Sequence, residues 1–140
     1  MGDSAAVDAV RSAVAALNEG DIDGYLRYFE PLCPRWVPGI AQPLTLTDIA
    51  DNFRLLYAAF EDLHLDEDLL FGDGRFACAR WRLRGVHVSE YMGFAPKGRS
   101  INVETCEIYE VADGLVVTSW VYGDLGQLFR QIAADEGDAP

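Results

Sequence analysis

Positive charge is scarce in this chain: 11 Lys plus Arg stand against 23 Asp plus Glu, a formal net charge of -12. That balance repels phosphate backbones and anionic membrane surfaces, and argues against nucleic acid or a membrane as partner. Cysteine is sparse as well. Cys33, Cys78 and Cys106 form no metal-like pair, and an odd number cannot complete a disulfide framework, so a reducing, cytoplasmic setting and a role as small buried hydrophobes are expected. No apolar run reaches the ~18 residues of a membrane span. Met1 to Ala6 lacks the basic region and apolar run of a secretory leader. Internal repeats and low-complexity tracts are also absent.

What is present fits one domain, expected over 1–134, with 135–140 as an acidic, flexible tail; 140 residues suffice for a core of its own. Val7, Val10, Val14 and Leu17 recur at helical spacing, predicting a helix from Ser4 to Asn18, capped by Asp3 or Ser4 and followed by Gly20. Asp21 then caps a short helix whose Ile22, Tyr25, Leu26 and Phe29 share an apolar face. Glu30 to Leu44 contains four prolines and forms a long connection, with a short extended piece near Arg35 to Val37. Thr47 or Thr45 opens a third helix to Phe60, with Ile49, Phe53, Leu56 and Phe60 inward. Asn52 borders that stripe, either as an amide satisfied nearby or turned to water, or as a hydrogen-bond arm into a pocket.

Four strands follow. Leu63 to Phe71 carries Asp66 and Asp68 outward, and Gly72-Asp73-Gly74 signals a hairpin. Phe76 to Val88 separates Ala77, Ala79, Trp81, Leu83, Gly85 and His87 from a wetter face bearing Arg80, Arg82 and Arg84, which are expected to oppose Glu104 and Glu110. Tyr91 to Arg99 makes a wide turn into Asn102 to Val111; Gly85 and Gly93 fit bends, not phosphate cradles. Ala112-Asp113-Gly114 turns into Leu115 to Tyr122, and Asp124 is expected to cap a last helix through Ile132. Helices followed by an antiparallel sheet give an α+β fold, and a strongly curved sheet leaves a pocket on its concave side.

The Asn102–Val111 strand holds the most informative residue. Alternation places Val103, Thr105, Glu107, Tyr109 and Val111 on one side, and Glu107 is the only charge on that more apolar face. An ionised group buried without partners is costly, so Glu107 is either a partnered structural carboxylate, one that reaches solvent, or a cavity acid/base.

The run Gly85-Val-His-Val-Ser-Glu-Tyr-Met-Gly-Phe-Ala-Pro-Lys-Gly-Arg99 resembles the Gly-x-His-x-x-Glu-x-x-Gly-x-x-Pro-x-Gly-Arg pattern of the SnoaL-like polyketide cyclases, of the nuclear transport factor two-like superfamily. Ala16 to Asp21, Asp113-Gly114, and Trp120 followed by Asp124, Arg130 and Gln131 support the resemblance, which spans Val7 to Ile132. It implies a cone-shaped α+β barrel with a curved antiparallel sheet on three N-terminal helices and a C-terminal helix. It also implies a cavity between sheet and helices, and a homodimer through the sheet.

Cyclases of this kind close rings by intramolecular aldol chemistry with a His and an Asp, using neither metal nor cofactor. Their His position falls on Glu107, their Asp position on Val121, and a pocket Asn on Asn52. The pair is thus replaced here. Thr105 stands where the superfamily's epoxide hydrolases place an Arg, which removes that reaction. The expectation is a cofactor-independent cyclase or isomerase, a natural-product enzyme of antibiotic-biosynthesis type, acting on a small hydrophobic, polyketide-like substrate. An aromatic polyketide hydroxylase and a noncatalytic ligand-binding or partner-supporting protein are the alternatives.

Glu107 is the expected acid/base, and His87 is either a second catalytic group or a packing residue near a strand end. Asn52, His87, Tyr25 or Tyr57 would stabilise an enolate oxygen. Trp36, Thr105, Tyr109, Ser119 and Val121 complete the expected substrate-binding set, with Trp36 as pocket wall and Trp81 as core.

Overall fold

The computed structural model describes residues 2–124 and 126–134, with side chains from residue 5 onward. Asp3 and Ser4, expected to cap the first helix, lie inside it, since it starts at Gly2; their side chains and the expected tail over 135–140 fall outside what the structure describes. Helix α1 (Gly2–Asn18) buries Ala6, Val10, Ala13, Val14 and Leu17 along one stripe. Gly20, at φ +80°, ends it in a conformation that costs other residues more. In α2 (Ile22–Leu26) the Asp21 side chain accepts the Gly24 N–H at 2.8 Å. Phe29 lies past this helix and is buried instead through a bridge to Val116.

The proline-rich connection contains the expected extended piece, β1 (Arg35–Trp36). Helix α3 (Leu46–Ala59) starts at Thr45, not Thr47. The Thr45 hydroxyl accepts the Asp48 N–H, and Asp48 answers with the Thr45 N–H, a complete capping box. The chain passes without a loop into β2 (Phe60–Asp73), so the helix stops one residue before Phe60 and the strand starts earlier than Leu63. Strands β3 (Phe76–His87), β4 (Ser100–Ala112) and β5 (Leu115–Tyr122) and helix α4 (Gln127–Ala133) complete the order.

The sheet runs β1-β5-β4-β3-β2, with β1 parallel to β5 and every other pair antiparallel. Register shifts at Glu61/His64 and Glu67/Leu69 bulge β2 and bend it. Gly85 permits that bend: a Cβ there would lie 3.2 Å from Leu63 Cδ1 and 3.3 Å from the Glu61 carbonyl oxygen. Asp113 and Gly114 both have positive φ, as a tight hairpin between right-twisted strands demands. The result is the expected α+β architecture: a curved five-stranded sheet with helices on one face, and a core joining α1, α3 and the inner side of β3 and β4.

The outer face of the sheet is ionic in the expected way, with one change of partner. Arg80 and Arg82 reach Glu104 at 3.2 and 3.3 Å, Arg82 reaches Asp68 at 3.1 Å, and Arg84 holds Asp66. Glu110 is held by Arg75 from the β2–β3 turn at 2.9 Å, because β3 opposite it presents Phe76. Cys33 is buried, whereas Cys78 and Cys106 are only half-buried on the outer face, free, with their sulfurs 3.8 Å apart.

Asp124 does not cap α4. The cap position is Gly126, and the Asp124 carboxylate takes the Gly126 N–H and the Arg130 guanidinium instead. Two glutamines fasten this helix: Gln127 and Gln131 each accept a backbone N–H and donate to the carbonyl of the same residue, Glu104 and Asn102 respectively. These are the β4 edge groups beyond the reach of β5, so side-chain amides take the place of a missing strand.

Candidate active site

Register across the inner face builds the site. Glu107 on β4 faces Ala79 on β3 and Val121 on β5. One pair further, Tyr109 faces Ala77 and Ser119, and Ser119 in turn faces Arg35 of β1. Glu107 and Arg35 are therefore diagonal neighbours over Ser119, within reach of long side chains. The small Ala77 and Ala79 leave room for the larger groups beside them, and Trp81 Nε1 donates to the Tyr109 hydroxyl at 2.9 Å.

Arg35 is the residue that sequence reasoning missed. Its Nη2 lies 3.1 Å from Glu107 Oε2 and donates to the Tyr25 hydroxyl at 2.9 Å. Glu107 is 6% exposed and Ser119 fully buried, so the pair sits out of bulk water. One signal was available: a carboxylate on an apolar face demands a cation, and Arg35 stands in the extended piece of the connection.

Burial pushes the Glu107 carboxyl above the ordinary glutamate range; Arg35 opposes this, with smaller help from the Tyr109 and Ser119 hydroxyls, and does not cancel it. Burial would pull the Arg35 guanidinium down, but Glu107 and the hydroxyls of Tyr25 and Tyr109 outweigh it and hold the group above its ordinary range. Burial likewise raises Tyr25 to about 12, Cys33 to about 11, and Tyr109 well above its usual range. At neutral pH the neighbours of the carboxyl are thus one fixed cation and neutral hydroxyls and thiol.

Polar capacity remains unused at this point. Arg35 Nε, Glu107 Oε2 and Ser119 Oγ are all buried without a hydrogen-bond partner; the Arg35–Glu107 contact is an ion pair that falls short of hydrogen-bond geometry. Ser119 Oγ lies near enough to soften the carboxyl's shift yet completes no bond. A donor, an acceptor and a hydroxyl are the groups that general acid/base chemistry on a carbonyl compound uses.

The other expected site residues fall into two groups. Tyr25, Tyr109 and Ser119 join Glu107, and Val121 sits opposite it. Thr105 is half-buried two residues along β4, across from Trp81, at the edge of an outer groove of about 410 Å³ that also holds Cys106 and Tyr122.

The remaining four lie elsewhere. Asn52 is exposed on α3, since its position borders the inward stripe on the solvent side. Trp36 is 40% exposed because alternation on β1 turns it away from the side on which Arg35 is buried. Tyr57 donates its hydroxyl to the Leu17 carbonyl and ties α3 to α1. His87 is fully buried eight residues beyond Ala79, roughly 26 Å along β3. Stacked on Phe60 with both ring nitrogens unpartnered, it does not share a site with Glu107. Among the described residues, no group of three or more His, Cys, Asp or Glu side chains converges as metal ligands would.

A profile of the SnoaL-like polyketide cyclases matches residues 7–132. The chain belongs to the SnoaL-like polyketide cyclase family. Among proteins similar to this SnoaL-like chain, aklanonic acid methyl ester cyclase DnrD of Streptomyces peucetius is 28% identical over 134 residues, spanning 92% of this chain and 91% of that protein. TsrD of Streptomyces laurentii superposes with a TM-score of 0.77 at 27% identity, covering 94% of this chain and 97% of that one. AclR of Streptomyces galilaeus, a proposed hydroxylase, superposes with a TM-score of 0.81 at 21% identity over 90% and 93% of the two chains, a likeness of fold. No helix among the described residues is long and apolar enough to cross a membrane.

Proposed function

We propose that this SnoaL-like protein is a cofactor-independent cyclase or isomerase of a small, hydrophobic, polyketide-like intermediate, with Glu107 as its acid/base. The observation that carries this reading is a carboxyl buried on the inner face of the sheet and held above its ordinary range by desolvation. A carboxyl so placed takes a proton from carbon beside a carbonyl in one step and returns it to an alkoxide in the next, which regenerates the base. Ring closure by aldol addition needs no other reactant. Membership of the cyclase family and the likeness to DnrD support the substrate class. A homodimer through the outer sheet face, where Leu69, Phe71, Phe76 and Tyr122 are exposed, is part of this reading, as is a cytoplasmic place in natural-product biosynthesis.

The test is Glu107→Gln, which keeps the shape and removes the base. Turnover of a polyketide-like substrate is expected to fall by about 100-fold or more with fold and ligand binding retained; unchanged turnover sinks the mechanism. A second reading has its own observation: the Arg35 ion pair is also what a purely structural carboxylate would make, in a cavity that only binds ligand. A ligand recovered unchanged after prolonged incubation would favour it.

A further inference from the structure

Resting on the Glu107 reading, we infer that Arg35 and Ser119 form the oxyanion site of this enzyme, receiving a substrate carbonyl oxygen whose α-proton Glu107 removes. The substrate class that follows is an enolisable ketone. Three independent placements carry the inference. Arg35 reaches the site from the proline-rich connection through the parallel β1–β5 pairing, which sets it directly opposite Ser119. Its Nη2 is already engaged by Glu107 and Tyr25, while its Nε–H, the other donor edge, is buried and unpartnered. Ser119 Oγ is buried and unpartnered beside it. Buried donors are rarely left unused, and two unpartnered donors on facing residues of neighbouring strands, with a buried carboxyl paired to one of them, supply what a developing enolate needs.

The step balances without a co-reactant. The substrate C–H bond breaks, its proton forms an O–H bond on Glu107, and the electron pair becomes the C=C bond of an enolate whose charge moves to oxygen. That oxygen accepts from Arg35 Nε–H and Ser119 Oγ–H. Tyr25 is then a positioning residue: its hydroxyl holds Nη2 and so fixes the direction of Nε.

The probe is 2-naphthol, whose naphtholate copies the enolate of 2-tetralone in shape and charge. Its ionisation while bound is read by absorbance against pH. In Glu107→Gln, where the competing carboxylate charge is gone and Arg35 remains, bound naphthol is expected to ionise about one pH unit or more below free naphthol, a tenfold preference for the anion. The wild-type shift is expected to be smaller, because like charges repel. Since Arg35→Met alone leaves Glu107 unpartnered and is prone to unfold, the decisive variant is Arg35→Met/Glu107→Gln, which removes both charges. Its bound naphthol is expected to lose the shift, and Ser119→Ala in the Glu107→Gln background to reduce it several-fold.

The same shift in the double variant, or no shift in Glu107→Gln, overturns the oxyanion assignment. Deuterium exchange at C1 of 2-tetralone separates this from the acid/base reading. Exchange lost in Glu107→Gln with no naphthol shift refutes the oxyanion site and leaves Glu107 standing as base. Exchange unaffected by Glu107→Gln with the shift intact refutes the base and supports the anion site.

Discussion

Around Glu107 the inner face of the sheet collects a carboxyl, a guanidinium and the hydroxyls of Tyr25, Tyr109 and Ser119. Around His87 it collects rings: Phe60 stacks on the imidazole at 5.0 Å, Tyr91 meets Phe60 edge-on, and Phe129 of α4 stacks on Tyr91. Both regions bury nitrogen or oxygen without hydrogen-bond partners. Their difference is the ion pair. The imidazole among rings is held by packing and stacking. An ion pair in the same low-dielectric interior keeps strong fields directed at whatever approaches it. The residue that looked catalytic by type, His87, therefore occupies the packing region, and the buried charge gathers at Glu107 and Arg35.

That contrast is most exposed to test at Arg35. Arg35→Met is expected to cost about 3–5 kcal/mol in urea unfolding, because it strands Glu107. Pairing it with Glu107→Gln should restore most of the loss, and equal costs for the single and double variants would show that the two charges are not coupled. At the other region His87→Phe should change stability by less than about 1.5 kcal/mol, since it swaps one stacked ring for another and breaks no side-chain hydrogen bond. Exchange of 2-tetralone should continue in that variant. A larger cost, or lost exchange, would erase the distinction drawn between the regions.

Gln131→Ala should cost about 1 kcal/mol by freeing the Asn102 backbone groups, loosening α4 over the aromatic region and leaving the Glu107 region as it was. The last effect is in pH, where burial outweighs the opposition of Arg35. Glu107 has a folded pKa raised above its unfolded value, so it favours the folded state fully below about 4.5 and loses that contribution as pH rises through its raised value. Asp66, which its hydrogen bond from Arg84 holds below the ordinary range, works in the opposite sense, with stability lost as pH falls. The stability difference between wild type and Glu107→Gln should hence move against the wild type between these limits; movement toward it would contradict the raised carboxyl.

Much of this architecture was legible where the information is local. The three-and-four spacing of Val10, Val14 and Leu17, the Asp21 cap and the hairpins at Gly72-Asp73-Gly74 and Ala112-Asp113-Gly114 each depend on neighbours in the chain, and the structure has them where spacing and turn chemistry predict. Strand alternation likewise placed Glu107 on the buried face. Asp124 misled because two residues separate it from the helix, so its carboxylate serves the Gly126 N–H before the first turn. Asn52 sat at the edge of a stripe, where a small rotation decides between core and water. Arg35 was illegible as a partner because its position follows from a parallel pairing with β5, a contact that no periodicity within residues 30–44 encodes. Glu110 shows the same limit, since its cation comes from a turn and not from the strand opposite.

The most direct test of the central claim, that Glu107 is a working base, is the pH dependence of C1 deuterium exchange in 2-tetralone, followed by NMR for the wild type and Glu107→Gln. The account predicts a wild-type rate that rises with pH to a plateau, with a midpoint above the ordinary glutamate range, and no such rise in the variant. Identical profiles in the two proteins, or wild-type exchange no faster than in buffer, would contradict it.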